Sequence, residues 1–150
     1  MRPVICMITD GRAGEGRSIS AVVKTIAEAA NAGVDLIQIR ERGLDARTLL
    51  HLVHDAVAAV RGTETRVLVN DRLDVARAAG AHGVHLRRDS FAAARLRNQT
   101  GAPFLIGRSI HSVDDALRAV DDGAIDYVIF GTVFSTSSKP GRPGAGPYLE

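Results

Sequence analysis

The chain of 150 residues has no Trp, a single Cys and only 4% aromatic residues. One cysteine cannot form an internal disulfide, which excludes the small secreted domains that disulfides hold together. No apolar run approaches the roughly 18 residues that a membrane span needs. The apolar stretch within residues 1–9 is too short for a signal peptide. We therefore expect a cytoplasmic protein without membrane attachment.

An excess of one charge is also lacking. The chain has 19 Lys and Arg against 17 Asp and Glu, a formal net charge of +2. This excess is too small and too dispersed to favour nucleic-acid binding. Hydrophobic residues make up 45% of the chain and charged residues 24%. This composition excludes a collagen-like or disordered chain and is typical of a globular domain with one core.

What the sequence does have is an alternation of two kinds of segment. Short, nearly continuous apolar runs predict strands covered on both faces, and longer Ala-rich segments between them predict helices. The predicted strands are 4–8, 34–39, 66–69, 83–86, 104–106 and 127–130, and the predicted helices are 18–30, 46–60, 71–79, 91–100 and 113–122. Strands that alternate with helices in this way predict an α/β protein with a parallel sheet.

Two architectures fit this alternation, an open doubly wound sheet and part of an eight-stranded (β/α) barrel. An open sheet that binds a dinucleotide should have a G-x-G-x-x-G turn after its first strand. The glycines of residues 10–16 have a different spacing, so that kind of nucleotide binding is unsupported. The residues alone leave both architectures open.

Polar residues follow the predicted strands at their carboxyl ends, where α/β sheets and barrels form their sites. The residues at these ends are Thr9, Asp10, Gln38, Arg40, Arg42, Asn70, Asp71, His85, Asp89, Ser109 and His111. One such residue alone could be a helix cap. Polar residues that follow several strands in succession predict the lining of a pocket.

Individual residues in this set indicate particular chemistry. Gln38 and Arg40 lie on the same side of a strand, and the pattern favours anion binding by Arg40 over a buried pair with a carboxylate. Asn70 and Asp71 are either ligand or metal contacts or the cap of the next helix. His111 is a candidate general acid and base, because an imidazole with a pKa near 6.5 exchanges protons at neutral pH.

The segments that end the strands resemble the thiamine phosphate synthase/TenI family. The matching segments are Ile8–Asp10, Gln38–Arg42, Asn70–Asp71, Gly83–Leu86, Gly107–Ser112, Asp126–Gly131 and Val133–Lys139. The resemblance implies a TIM-type (β/α)8 barrel, here truncated after the sixth strand. Residues 1–131 would form six βα units, and residues 132–150 a flexible loop or tail rich in Gly, Pro and Ser. The strand edges left open by truncation favour association, so a homo-oligomer is possible.

The resemblance implies two enzyme activities in thiamine biosynthesis. The first is an isomerase, a thiazole tautomerase that aromatises thiazole carboxylate phosphate without a cofactor. His111 would transfer the proton, while Ser109 and Arg40 orient the substrate. We favour this activity, because Ser90 stands where the synthases of the family have a metal-binding Asp, and a lost carboxylate weakens a site for Mg²⁺.

The alternative activity is a transferase, thiamine phosphate synthase, which couples hydroxymethylpyrimidine pyrophosphate with thiazole phosphate. The resemblance implies that Asp71 and Asp89 would hold Mg²⁺ in that enzyme. The implied substrate-binding residues are Gln38, Arg40, Arg42, Asn70, Ser109 and Lys139. A third possibility is a non-catalytic barrel fragment. In either enzyme the partner is a phosphorylated thiazole or pyrimidine, and neither nucleic acid nor a membrane is expected.

Overall fold

The structure is a computed structural model, and it describes residues 2–134. Strands and helices alternate along the chain in this order: β1 (Cys6–Ile8), α1 (Ile19–Asn31), β2 (Leu36–Ile39), α2 (Ala46–Ala59), β3 (Arg66–Asn70), α3 (Leu73–Ala78), β4 (Gly83–Leu86), α4 (Ala93–Thr100), β5 (Leu105–Ile110), α5 (Val113–Asp122) and β6 (Tyr127–Phe130). The chain divides into two compact units, Met1–Val84 and His85–Glu150.

The first unit pairs β1 with β2 and β2 with β3, all in parallel. The register places Ile8 opposite Gln38, and Gln38 opposite Leu68. Helices α1 and α2 pack on each other, and their residues Ile26 and Leu52 are fully buried. Consecutive residues of β2 and β3 are buried, as expected of strands covered on both faces.

The second unit pairs β5 with β6 in parallel, with Gly107 opposite Tyr127. Leu96 of α4 and Ile106 of β5 are buried in its core. Helix α5 begins at the N-cap Ser112, whose Oγ accepts a hydrogen bond from the Asp115 backbone N–H at 3.1 Å. One face of α5 is apolar yet exposed and carries Val113, Leu117 and Val120.

Three helix-to-strand joints share one hydrogen-bonding arrangement. In each joint the last residue before a strand accepts a hydrogen bond from a backbone N–H near the start of an earlier strand. The pairs are Asp35 with Ile5 at 2.8 Å, His82 with Val67 at 3.0 Å and Asp126 with Ile106 at 2.6 Å. The recurrence of similar glycine-containing joints in the sequence, at 33–35, 80–83 and 123–126, is therefore also a recurrence in hydrogen bonding.

Six strands alternating with five helices, with parallel pairing in each unit, confirm the α/β class. The full barrel stays a prediction. Residues 135–150, which include most of the predicted tail, lie outside the described residues. No helix within residues 2–134 is long and apolar enough to cross a membrane.

Several predicted boundaries differ from the observed ones by two residues or more, and two of the differences have a clear physical reason. Strand β5 continues to Ile110 rather than ending at Ile106, because the backbone pairing with β6 extends through Ile110. Helix α3 begins at Leu73 rather than at Asp71, whose φ of 58° lies in the left-handed region and cannot start a right-handed helix.

Candidate functional site

The polar residues at the carboxyl ends of the strands form one cluster in each unit. The first cluster comprises Thr9, Gln38, Arg40, Asn70 and Asp71. The second cluster comprises His85, Ser109 and His111, together with Asp115 of α5 and Tyr127 at the start of β6.

Gln38 is the buried centre of the first cluster. Its side chain is only 2% exposed, and its Nε2 donates to Asn70 Oδ1 at 3.1 Å. Its Oε1 is buried and has no hydrogen-bond partner within residues 2–134. A buried amide atom without a partner is destabilising by about 1–3 kcal/mol. One polar atom of Gln38 therefore remains to be satisfied by a ligand.

Arg40 follows β2 and belongs to the same cluster. Its backbone N–H donates to Thr9 Oγ1 at 2.9 Å, which fixes the chain at the end of β2. Within the described part of the chain, no carboxylate forms an ion pair with its guanidinium. Partial burial and the nearby cation of Arg42 lower the pKa of Arg40, while the neighbouring Glu41 carboxylate acts to raise it. A bound anion would oppose the two lowering effects, because opposite charge favours the cationic form.

Glu41 is a buried residue of this region that the sequence analysis did not single out. Its side chain is 4% exposed, and its carboxylate accepts hydrogen bonds from the backbone N–H groups of Gly11 at 3.3 Å and Ala13 at 2.9 Å. It therefore holds the loop after β1, and the predicted alternative of a buried Arg40–Glu pair is not formed. In the sequence Glu41 lies between two arginines, a setting that is ordinary for an exposed acid. The sequence therefore carried no signal for this buried role.

Asp71 has an unusual backbone for a residue that is not glycine. Its φ of 58° lies in the left-handed region, which Asp and Asn tolerate better than other side chains. The N-cap of α3 is Arg72, which makes no capping hydrogen bond through its side chain. The alternative in which Asp71 caps the next helix is therefore excluded. A half-buried carboxylate held in a rare conformation at a strand end is typical of a functional position.

The two proposed metal ligands differ in how well they fit a cation. Asp89 is exposed, and its carboxylate forms an ion pair with Arg87 Nε at 3.3 Å. No group of three or more His, Cys, Asp or Glu residues within residues 2–134 could hold a metal ion. Mg²⁺ often takes only one or two carboxylates and completes its shell with substrate phosphates and water. Of the two, Asp71 is half-buried at the end of β3, whereas Asp89 is exposed.

The second cluster is centred on a buried imidazole, which the sequence analysis did not assign a role. His85 on β4 is 2% exposed. Its Nδ1 lies 3.0 Å from Tyr127 Oη, and its Nε2 lies 2.9 Å from Ser109 Oγ. The structure thus joins the predicted Ser109 to two residues from neighbouring segments. Its place among the polar residues at the strand ends was the signal available in the sequence, and its bonds to Ser109 and Tyr127 were not predicted.

His111 follows β5 and is held at two points. Its Nδ1 donates to the carbonyl oxygen of Gly131, and its backbone N–H donates to Asp115 Oδ2 at 3.1 Å. Donation from Nδ1 leaves Nε2 as the ring atom that can accept a proton. The predicted acid and base is therefore oriented, with its proton-accepting atom directed away from Gly131.

Asp115 is the buried acid that supports His111. Its side chain is 9% exposed and lies 3.0 Å from Arg118 Nη2 and 3.1 Å from Arg88 Nε. Burial acts to raise the pKa of Asp115, but the hydrogen bonds from Arg118 and the His111 backbone and the cation of Arg88 lower it to about 2. Asp115 is thus a permanent anion at neutral pH.

Two predicted site residues within the described part of the chain, Arg42 and Asp89, do not join either cluster. Arg42 is exposed beside the first cluster. Lys139 lies outside the described residues. The structure therefore brings together Gln38 with Asn70 in one unit, and Ser109 with His85 in the other.

Comparison with known proteins matches this chain to a family described as thiamine monophosphate synthase, over residues 5–149. The thiamine-phosphate synthase of Methanoregula boonei is 40% identical over 147 residues, which cover 97% of this chain and 66% of that protein. The thiamine-phosphate synthase of Acidothermus cellulolyticus is 42% identical over 115 residues, which cover 77% of this chain and 54% of that protein.

Solved structures agree with the sequence comparison. Thiamine phosphate pyrophosphorylase from Pyrococcus furiosus superposes with a TM-score of 0.75 at 28% identity, covering 89% of this chain and 62% of that one. The chain therefore spans between half and two thirds of the length of these relatives. The match to the family nevertheless extends over almost every residue of the chain, and the chain belongs to the thiamine monophosphate synthase family.

Proposed function

We propose that the chain carries out the thiamine phosphate synthase reaction, in which a pyrimidine diphosphate is coupled to a thiazole phosphate. The observation that carries the proposal is the first cluster, where the Arg40 guanidinium lacks a carboxylate partner among residues 2–134 and Gln38 keeps an unpaired buried atom. These two groups suit a ligand with an anionic part and a heterocyclic polar edge. The relatives are named thiamine-phosphate synthase, which favours this activity over the tautomerase.

In this proposal the first cluster binds the pyrimidine substrate at two points. Gln38 offers its remaining amide atom to the polar edge of the pyrimidine ring, and Asn70 holds the Gln38 amide in place. Arg40 offers a planar fork of N–H donors, which suits the oxygens of a diphosphate. Arg42 adds a second, solvent-exposed cation beside it.

The reaction exchanges one bond for another at the methylene carbon of the pyrimidine. The bond from carbon to the bridging oxygen breaks, and its electron pair leaves with the diphosphate. The lone pair of the thiazole nitrogen then forms the new carbon–nitrogen bond. Arg40 stabilises the developing negative charge on the departing oxygens, because donors aimed at developing charge are more effective there than in water.

Mg²⁺, when bound, would supply further neutralisation of the diphosphate charge. Asp71 is the residue of this chain that fits it, since its half-buried carboxylate lies at the end of β3. Asp89 is already paired with Arg87, so the chain offers fewer carboxylates to this ion than the family pattern implies.

The test is direct product formation. The purified chain is incubated with the two substrates and Mg²⁺, and thiamine phosphate is measured by chromatography. We expect product, and a loss of at least tenfold in kcat/KM for Arg40→Ala, because a hydrogen bond to a charged group contributes about 1.5–3 kcal/mol. Arg47→Ala is the matched control, since Arg47 is exposed on α2.

Two other outcomes would replace the proposal. A folded chain that aromatises thiazole carboxylate phosphate but forms no thiamine phosphate would be the tautomerase. In that case His111→Ala should abolish the isomerisation, because the oriented His111 ring is the proton carrier in that reaction. A folded chain with neither activity would be the non-catalytic fragment.

A further inference from the structure

The hydroxyl of Ser109 belongs to a hydrogen-bonded chain of three side chains. Tyr127 Oη lies 3.0 Å from His85 Nδ1, and Ser109 Oγ lies 2.9 Å from His85 Nε2. The imidazole between them is 2% exposed, so water does not compete for its ring nitrogens. The two hydroxyls are therefore coupled through His85.

A neutral imidazole fixes which group donates in each of these two hydrogen bonds, because one ring nitrogen donates and the other accepts. A tyrosine hydroxyl, with an ordinary pKa of about 10, is a stronger hydrogen-bond donor than a serine hydroxyl. The favoured arrangement has Tyr127 donating to Nδ1, with the Nε2–H donating to Ser109 Oγ. Ser109 then accepts from His85 and keeps its own hydrogen for another acceptor.

We propose that His85 is a positioning residue that, together with Tyr127, fixes the Ser109 hydroxyl as a donor toward an anionic oxygen of a ligand bound at the second cluster. The proposal deepens the proposed function and rests on it for the identity of that anion as a diphosphate. With the opposite tautomer of His85, Ser109 would donate to Nε2 and present only lone pairs. Those lone pairs would repel an anion.

Gly107 makes the position of Tyr127 possible. A Cβ atom at residue 107 would lie 2.1 Å from Tyr127 Cζ, so the tyrosine ring occupies the space that a side chain would need. Gly107 and Tyr127 are paired in register across β5 and β6. A glycine in the same strand as Ser109 therefore admits the ring whose hydroxyl sets the tautomer of His85.

The first experiment reads the tautomer of His85 in the intact chain by ¹⁵N NMR of the imidazoles at neutral pH, with His85→Asn to assign its signals. We expect His85 to be protonated at Nε2. Two other histidines serve as references, because His82 accepts at Nδ1 from Val67 N–H while His111 donates from Nδ1. Protonation of His85 at Nδ1, or at both nitrogens, would overturn the proposal.

The second experiment measures binding of inorganic diphosphate by calorimetry to the parent chain, Tyr127→Phe, Ser109→Ala and the double variant. Tyr127→Phe keeps the ring and removes the donor, so affinity should fall about threefold to tenfold. Ser109→Ala should lower affinity by about tenfold or more, and the double variant should bind no more weakly than Ser109→Ala. Losses that multiply would contradict the coupling, as would Tyr127→Phe binding like the parent chain.

The two experiments separate this inference from the proposed function. If the parent protein does not bind diphosphate, the proposed function fails. The tautomer of His85 still shows whether Ser109 accepts a hydrogen bond from His85 or donates one to it. Gly107→Ala adds an independent test, since displacing the Tyr127 ring should reproduce the loss of diphosphate affinity expected for Tyr127→Phe. Because that variant could also lose its fold, circular dichroism accompanies it, and Tyr127→Phe carries the result by itself.

Discussion

Polar groups at the two ends of the strands differ in whether they are paired within the protein. At the amino ends, Asp35 and Asp126 each accept a backbone N–H and an arginine, so their carboxylates are satisfied within the protein. At the carboxyl end of β2, Gln38 keeps an unpaired buried atom, and Arg40 has no carboxylate partner among residues 2–134. This difference indicates that the paired carboxylates at the joints hold the strands in place, whereas the polar groups at the carboxyl end of β2 remain available for a ligand.

The joint before β6 shows how complete the internal pairing is. The carboxylate of Asp126 lies 2.6 Å from both Ile106 N and Arg97 Nη2. The same arginine donates to the carbonyl oxygens of Gly101 at 2.9 Å and Ala124 at 3.1 Å. One acid and one arginine thus connect the ends of two helices to the start of β5.

The largest effect on stability is expected from Asp126→Ala, which removes a paired carboxylate at the amino end of β6. Removing the carboxylate leaves the Ile106 N–H and Arg97 without their acceptor, so the free energy of unfolding should fall by about 2 kcal/mol. Urea denaturation measures the change. Asp121→Ala removes an exposed acid from α5 and should change stability by less than about 0.5 kcal/mol. An Asp126→Ala chain as stable as this control would refute the structural role of the joint.

Arg40→Ala probes the opposite end. Affinity for diphosphate should fall by at least about tenfold, because a charged donor is lost. The free energy of unfolding should stay within about 0.5 kcal/mol of the parent chain, since no carboxylate depends on this arginine in the described structure. Calorimetry and urea denaturation report the two quantities. A large loss of stability with unchanged affinity would place Arg40 among the structural residues instead.

Acid should weaken the second cluster through Asp115, whose pKa is lowered to about 2. A group with a lowered pKa in the folded state stabilises the protein above its unfolded pKa of about 3.9, and this contribution disappears as pH falls toward 2. The parent chain should therefore lose more stability between pH 4 and pH 2 than Asp115→Asn does. Thermal unfolding at both pH values tests this, and equal losses in the two proteins would contradict it.

A small effect on stability is also expected from Gln38→Leu. The substitution removes a buried amide with an unpaired atom and replaces it with an apolar side chain of similar size. The free energy of unfolding should change by less than about 1 kcal/mol, because the lost bond to Asn70 is offset by removal of the unpaired atom. Synthase activity should nevertheless be lost. A strongly destabilised variant would show that Gln38 serves the fold.

The sequence predicted the parts of the fold that depend on local pattern. Apolar runs located all six strands. The end of β5 was missed because Gly107, Arg108 and Ser109 interrupt the apolar run, while the strand is maintained by pairing with β6. Pairing between strands that are separated in sequence cannot be recognised from the local composition of either strand.

The candidate site was predictable only in part for the same reason. Gln38, Arg40 and Ser109 could be selected because they follow or end strands. His85 and Tyr127 gain their roles from partners 24 and 42 residues away from His85. Glu41 is likewise defined by the loop it holds, about 28 to 30 residues earlier in the chain.

The three helix-to-strand joints have a consequence for the order of events during synthesis. Asp35, His82 and Asp126 each bond to a strand that has already been made, and none of these bonds needs a later segment. A growing chain can therefore close each joint soon after the strand following it has emerged from the ribosome. Folding can follow translation in steps, with β2, β4 and β6 each anchored to the segment of the strand before it.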